Sequence, residues 1–269
     1  MTILRDMPAP EYHSLDAVGG TALKDILPPH TPLHFWARHV DPARVVKTTP
    51  AMRLGTLVHL AVLEPERYAR EVVVAPSGID RRTKAGKEVW ETFAAECVGK
   101  EIVSAEDADL IGRIASSVMA NKAAAGLLAG ASTEVSMLWD DGVTGVRCKG
   151  RIDGVSKHGA LFDLKTTADA SPEGFAKSVA NFGYHIQAAH YIDGFETEHG
   201  ERPSAYVWIV VEKEPPHAVA LYAADSEMIE IGSQLRTKAL DLIAECRATG
   251  VWPGFDTHIK PISLPAWAV

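Results

Sequence analysis

Cysteine is scarce. Three residues in 269, at Cys97, Cys148 and Cys246, make no CxxC pair and no even disulfide framework. That excludes a stapled secreted scaffold and points to a reducing cytoplasm. No run of 18 apolar residues exists, so no membrane-spanning helix is expected. The opening MTILRDMPAPEYHSL has neither an apolar h-region nor a small-residue cleavage site. Basic residues are in deficit, 27 Lys and Arg against 35 Asp and Glu, for a net charge of −8. That argues against coating nucleic acid by bulk attraction but leaves room for a local basic channel. A cluster of acids holding divalent cations would add to the same imbalance. G-x-S-x-G, HExxH and Walker A strings are all missing. A nucleophile elbow, a zincin site and a P-loop are thereby excluded. The histidines, His13 near Asp16 included, show no triad spacing.

What remains is an ordinary globular composition, 46% hydrophobic and 23% charged. Residues 1–50 read as short helices and irregular turns. MRLGTLVHLAVLEPE, 52–66, reads as a helix ended near Pro65. EVVVAP, 71–76, reads as a strand. A polar loop over 77–87 carries Arg81, Arg82, Lys84 and Lys87, and two or three helices follow to about 130. Residues 133–140, 145–156 and 161–167 read as three successive strands. Ser171-Pro172 opens a long helix predicted to run to about His199. YVWIVVE, 206–212, and HAVALYA, 217–223, are strands, and 225–248 is an amphipathic helix. No repeat or linker divides the chain. The expectation is one α/β domain over 1–269 with a mixed central sheet flanked by helices: an irregular part to residue 50, a core over 52–223 and a helix and tail over 225–269.

The stretch VRCKGRIDGVSKHGALFDLKTT, 146–167, is the most informative. Alternation places Arg147, Lys149, Arg151 and Asp153 on one face of the first strand, and Asp163 and Lys165 together on one face of the second. A Lys157-His158-Gly159 loop closed by a left-handed glycine pairs Ser156 with Ala160. Counting back sets Asp153 opposite Asp163, their Cβ atoms roughly 4.5–5.5 Å apart. Two such carboxylates repel unless a cation joins them or one is protonated, and a hard ion such as Mg²⁺ takes oxygen ligands. Lys165 would stand beside it. A solvated surface hairpin would show the same alternation.

GRID followed by DLK resembles the PD-(D/E)xK nuclease motif, with Asp153 and Asp163 as its acids and Lys165 as its lysine. Ile152 stands where some members have proline, which the RecB-like branch commonly lacks. GTLVH, 55–59, resembles the helix bearing the histidine metal ligand of that branch, which implies His59. QAAHY matches its QxxxY feature, which implies that Gln187 and Tyr191, one helical turn apart, support the active site. Glu134 corresponds to an acid near the catalytic hairpin. Together with LKDILPPHTPLHFWARH and AMRLGTLVHLAVLEPE, these blocks are most similar to the exodeoxyribonuclease VIII (RecE-type) family of phages and prophages. Thr21 stands where a serine is expected at the DNA end.

The resemblance implies a restriction-endonuclease-like core. It implies a Mg²⁺-dependent exonuclease, Mn²⁺ being the alternative, that digests linear double-stranded DNA from the 5′ end. His59, Asp153, Asp163 and the Leu164 carbonyl would hold the metal. It further implies a ring-shaped homo-oligomer that focuses Arg147, Lys149 and Arg151 on the duplex, with a single-strand annealing protein as partner in recombination. Iron–sulfur relatives need four cysteines, so no cluster is expected. A structure-specific endonuclease and a non-catalytic DNA-binding module remain the alternatives.

Overall fold

Strand-forming residues concentrate between 132 and 223, and helices from both ends of the chain cover the sheet they build. The computed structural model describes residues 2–4, 7–45 and 48–264, so the PAWAV tail lies outside the described residues. In chain order the first elements are β1 (Thr2–Leu4), α1 (Ala9–Ser14), β2 (Val18–Gly19), a 3₁₀ segment Gly20–Ile26 and α2 (Pro32–Phe35). Next come α3 (Pro50–Leu63), α4 (Pro65–Glu71), β3 (Val72–Val74), α5 (Lys84–Glu96) and β4 (Glu101–Val103). Then follow α6 (Ala105–Ala120), α7 (Lys122–Leu128), β5 (Ser132–Asp140), β6 (Arg147–Val155) and β7 (Leu161–Thr167). The last are α8 (Pro172–Phe182), α9 (Tyr184–His199), β8 (Tyr206–Glu212), β9 (Val219–Ala223) and α10 (Ser226–Thr249). Among the described residues no helix is long and apolar enough to cross a membrane.

The main sheet runs β1-β5-β6-β7-β8-β9, with β2 attached to β6. It is mixed, as expected: β7 and β8 are parallel and the other neighbours on that path are antiparallel. A parallel pair needs a crossover, and α8 with α9 supplies it. β8 is apolar up to its last residue, Glu212, because both its faces are covered. Trp208 and Val210 join Leu23, Ile186, Ile192 and Ile243 in one core. Ile209 and Val211 join Val58, Ile111, Phe162 and Leu164 in the other.

The hairpin turns as its sequence dictates. Gly159 has φ 77°, its N–H donates to the Ser156 carbonyl (2.9 Å), and Ser156 N–H donates to the Ala160 carbonyl (2.8 Å). Val155 pairs with Leu161 and Gly154 with Phe162. A side chain at Gly154 is sterically forbidden, since its Cβ would lie 1.9 Å from Phe162 Cζ. The recorded ladder stops there, one pair short of Asp153 and Asp163. Further along β6, Cys148 and Lys149 pair with β2 as well as with β5. A strand has two edges, so β2 takes the one that β7 has left.

Several expectations need correction. The helix predicted to run unbroken to His199 is two helices, because Gly183 adopts the left-handed conformation (φ 69°, ψ 32°) and ends α8. Its start is as predicted: the Ser171 side chain accepts from Gly174 N–H at 3.1 Å. Pro65 ends one helix and opens another at once, its fixed φ suiting a first helical position. β4 falls inside a region expected to be helical, where it pairs parallel with β3.

Candidate active site

The remote helix α3 meets the consecutive strands β5 and β6 at the opened end of the hairpin. α3 starts on Thr49, whose hydroxyl accepts from Met52 N–H at 3.2 Å, with Pro50 in the first turn. Burying Leu57, Val58, Val62 and Leu63 against the sheet leaves His59 half-buried at the helix flank. Its Nδ1 is 3.4 Å from Asp153 Oδ2. That carboxylate also accepts the Leu164 N–H at 2.7 Å, and thus takes the place of a ladder bond where β6 and β7 part. Glu134 comes from β5 with φ 52°. Thr133 pairs with Gly154 and Val135 with Ile152, so Glu134 and Asp153 face each other across a gap in the ladder. Left-handed backbone at a glutamate is strained by about 1–3 kcal/mol. The surrounding sheet enforces it and delivers the carboxylate to the site.

His59, Glu134 and Asp153 each offer a donor atom within 4.8 Å of the others. Donors on opposite sides of a Mg²⁺ ion are about 4.2 Å apart, twice its ligand distance. One imidazole and two carboxylates therefore match a hard divalent cation in both spacing and chemistry. Asp163, also expected as a ligand, is not one of these three donors and is paired with Lys165. It is buried, and its Oδ2 lies 2.5 Å from Lys165 Nζ. A carboxylate 2% exposed needs a counter-charge, and the neighbouring lysine supplies it. Leu164 joins the site through its backbone N–H.

Lys165 is held from three sides. Its Nζ donates to Gln187 Oε1 at 3.2 Å, and it lies 4.5 Å from the Tyr184 ring centroid. Gln187 Nε2 in turn donates to the Tyr191 hydroxyl at 3.1 Å. One turn of α9, Gln187 to Tyr191, thus extends the Asp163–Lys165 pair of β7 into a connected chain. The QxxxY pair acts on the lysine through Gln187.

Burial lifts the Glu134 carboxyl to about 7, with Asp153 adding to it against the pull of Arg151. Burial likewise pushes Asp163 up to about 6, against Lys165 and with Asp153. For Lys165 burial acts downward, but Asp163 and Asp153 outweigh it and the ammonium is held above its ordinary value. The site therefore concentrates acids that favour a proton around a lysine that keeps its own.

The basic residues expected to face DNA are occupied otherwise. Lys149 Nζ donates to the carbonyls of Tyr12 (3.1 Å) and Leu15 (2.8 Å). Arg151 donates to Ser136 Oγ at 2.9 Å and to the Met7 carbonyl, and it lies 4.9 Å from the Tyr12 ring. Both fasten the amino-terminal segment to β6. Arg147 is exposed, 3.5 Å from Asp140. Thr21 is exposed on the 3₁₀ segment. Two neighbours escaped sequence reading. Tyr184 covers Lys165. Tyr206 is buried at the start of β8, and burial, then Asp163, raises its phenol well above the ordinary value. For Tyr184 a signal existed: it lies one turn before Gln187, on the same helical face.

A mixed sheet covered by helices, with two acids and a lysine on adjoining strands and a histidine from a preceding helix, is the architecture of the PD-(D/E)xK superfamily. The chain belongs to it: residues 20–260 match the family described as a PDDEXK-like domain of unknown function (DUF3799). No curated protein matches the chain. A crystal structure from Eubacterium rectale, of a protein provisionally named an exonuclease, is similar over 97% of each chain with a TM-score of 0.66 at 14% identity. That likeness is one of fold. A phage-related exonuclease from Haemophilus somnus 129PT is similar at 11% identity and a TM-score of 0.32, over 72% of this chain and 94% of that one. An alkaline exonuclease from Laribacter hongkongensis is similar at 12% and 0.31, over 87% and 92%. Likeness at those scores carries no functional meaning.

Proposed function

We propose that this protein is a metal-dependent exodeoxyribonuclease that digests linear double-stranded DNA from the 5′ end. The observation that carries the hydrolytic reading is the meeting of His59, Glu134 and Asp153 beside the Asp163–Lys165–Gln187 chain. His59, Glu134 and Asp153 would hold Mg²⁺ or Mn²⁺, with Asp163 and the Leu164 carbonyl as neighbours able to join. When bound, the ion supplies Lewis acidity, which lowers the pKa of a water and offsets charge on the phosphate.

The chain's own residues supply the remainder. Lys165 keeps its proton, so its part is electrostatic: it orients the attacking water and stabilises negative charge on the phosphoryl oxygens. Gln187 and Asp163 fix its Nζ from two directions, so the charge is in place before substrate arrives. Digestion from the 5′ end, a ring-shaped homo-oligomer and work with a single-strand annealing protein in phage-type recombination are supported by the resemblance to the RecE-type family. Arg147, though paired with Asp140, and Thr21 are exposed where DNA could reach them.

The test uses linear duplex labelled at one 5′ end and a covalently closed circle, each with Mg²⁺ or Mn²⁺. Short labelled products, an intact circle and an inert Lys165→Ala variant are expected. A cut circle would retain the catalytic residues and replace the exonuclease reading with an endonuclease. Failure to cut either substrate would leave a binding module.

A further inference from the structure

A lone half-exposed phenylalanine carries little meaning. Phe182 gains its meaning from what stands behind it. It is 53% exposed and ends α8. Left-handed Gly183 then reverses the chain, so the ring of Tyr184 returns to within 5.5 Å of the Phe182 ring at 31°. Tyr184 in turn covers the Lys165 ammonium at 4.5 Å. Two aromatic rings therefore lead without a break from the part-buried lysine of the candidate active site to solvent.

A cation stands at the outer end. Lys24, on the 3₁₀ segment, lays its stem across Gly183: a Cβ there would meet Lys24 Cβ at 3.2 Å and Cδ at 3.3 Å. Its Nζ lies 5.5 Å from the Phe182 centroid, and among the described residues no carboxylate pairs with it. Glycine at 183 thus suits the left-handed backbone and leaves the Lys24 stem uncrowded. Thr21 precedes Lys24 by three residues, and at the 3₁₀ repeat the two share a face. Phe182 is half-exposed with the Lys24 ammonium over its ring, which suits a nucleotide: the base would take the ring and the flexible lysine would swing to the phosphate.

We propose that Phe182 is a base-stacking platform of the active site, on which one unpaired or terminal base of the DNA rests while Lys24 draws the adjoining phosphate. This rests on the nuclease reading, which puts a scissile phosphate at Lys165. Stacking on an aromatic ring is tolerant of base identity, so Phe182 would hold the strand without selecting a sequence.

The experiment compares the full-length wild type with Phe182→Ala and Phe182→Trp. The probes are linear duplexes carrying a single 2-aminopurine, or a single abasic site, at each of the first four positions from one end. Phe182→Ala should raise KM by about 5- to 150-fold, the range for one lost base–aromatic stack, with a smaller change in kcat. It should also remove the 2-aminopurine quenching at one position, and Phe182→Trp should restore both. An abasic site at that position should bring wild type and Phe182→Ala to the same KM. Equal KM and equal quenching in wild type and Phe182→Ala would overturn the proposal, as would a KM defect that persists on every abasic substrate. If the wild type cuts no DNA, the nuclease reading fails by itself. Affinity and quenching measured in EDTA then still decide the stacking.

Discussion

Replacing Glu134 by Gln should remove a defined part of the pH dependence of stability in the metal-free protein. Burial raises this carboxyl from 4.5 to about 7 in the folded state. Between those values the folded protein holds a proton that the unfolded chain has released, so unfolding free energy falls as pH rises. The contribution is fully present below 4.5 and lost as pH passes through about 7. A shift from 4.5 to about 7 corresponds to roughly 3 kcal/mol at 1.36 kcal/mol per unit. Asp163, raised to about 6, acts in the same direction, and His190, lowered to about 3 chiefly by burial, acts in the opposite one. Both remain in the variant, so subtracting the two curves isolates Glu134 to first order. Urea unfolding in EDTA from pH 4 to 8.5 should show Glu134→Gln gaining on wild type by up to about 3 kcal/mol at the alkaline end. Saturating Mg²⁺ should cancel that gain, because the cation replaces the proton in wild type alone. A difference curve flat to within about 0.5 kcal/mol from pH 4.5 to 8, set against the roughly 3 expected, would refute the claim that this site desolvates Glu134.

Gln187→Ala should lower the cleavage rate about 10- to 100-fold by freeing Lys165 Nζ, a loss of about 1.5–3 kcal/mol typical of a hydrogen bond to a charged group. Tyr191→Phe, which removes only the hydroxyl behind Gln187, should cost less than tenfold, and single-turnover rates would reverse the assigned order if Tyr191 acts directly. His59→Ala should weaken Mg²⁺ and Mn²⁺ binding by tenfold or more, about 1.4 kcal/mol, in calorimetric titration while leaving thermal stability in EDTA nearly unchanged. Gly154→Ala should destabilise by about 1–3 kcal/mol or more through collision with Phe162, and Phe162→Leu in the same chain should recover part of it. Additive losses in the double variant would count against that contact.

Local rules made much of this molecule legible in its sequence. The hairpin register followed from Gly159 and a three-residue turn, because loop length and a left-handed glycine leave few ways to pair the strands. β7 and β8 were readable to the residue, β7 as a strand after the Gly159 turn and β8 from its apolar run. Gln187 and Tyr191 meet as helical spacing requires. The break at Gly183 was visible in principle as a glycine inside a helical pattern, but a glycine can also be carried within a helix at a cost of about 1 kcal/mol.

Local pattern did not show contacts between distant elements; only the family resemblance implied that His59 and Asp153 meet. His59 and Asp153 stand 94 residues apart in the chain, and only the packing of α3 on the sheet brings them within 3.4 Å. Alternation alone would have made Asp153 and Asp163 the metal pair. The sheet opens one residue earlier, a strained Glu134 enters, and Asp163 turns to Lys165. Lys149 and Arg151 looked free in a strand pattern, yet they are spent on backbone carbonyls of a segment more than a hundred residues away. Turn chemistry and periodicity act over a few bonds and are written in neighbouring residues. The partner of a buried charge is chosen by whichever group the assembled fold leaves within reach, and no local pattern encodes that.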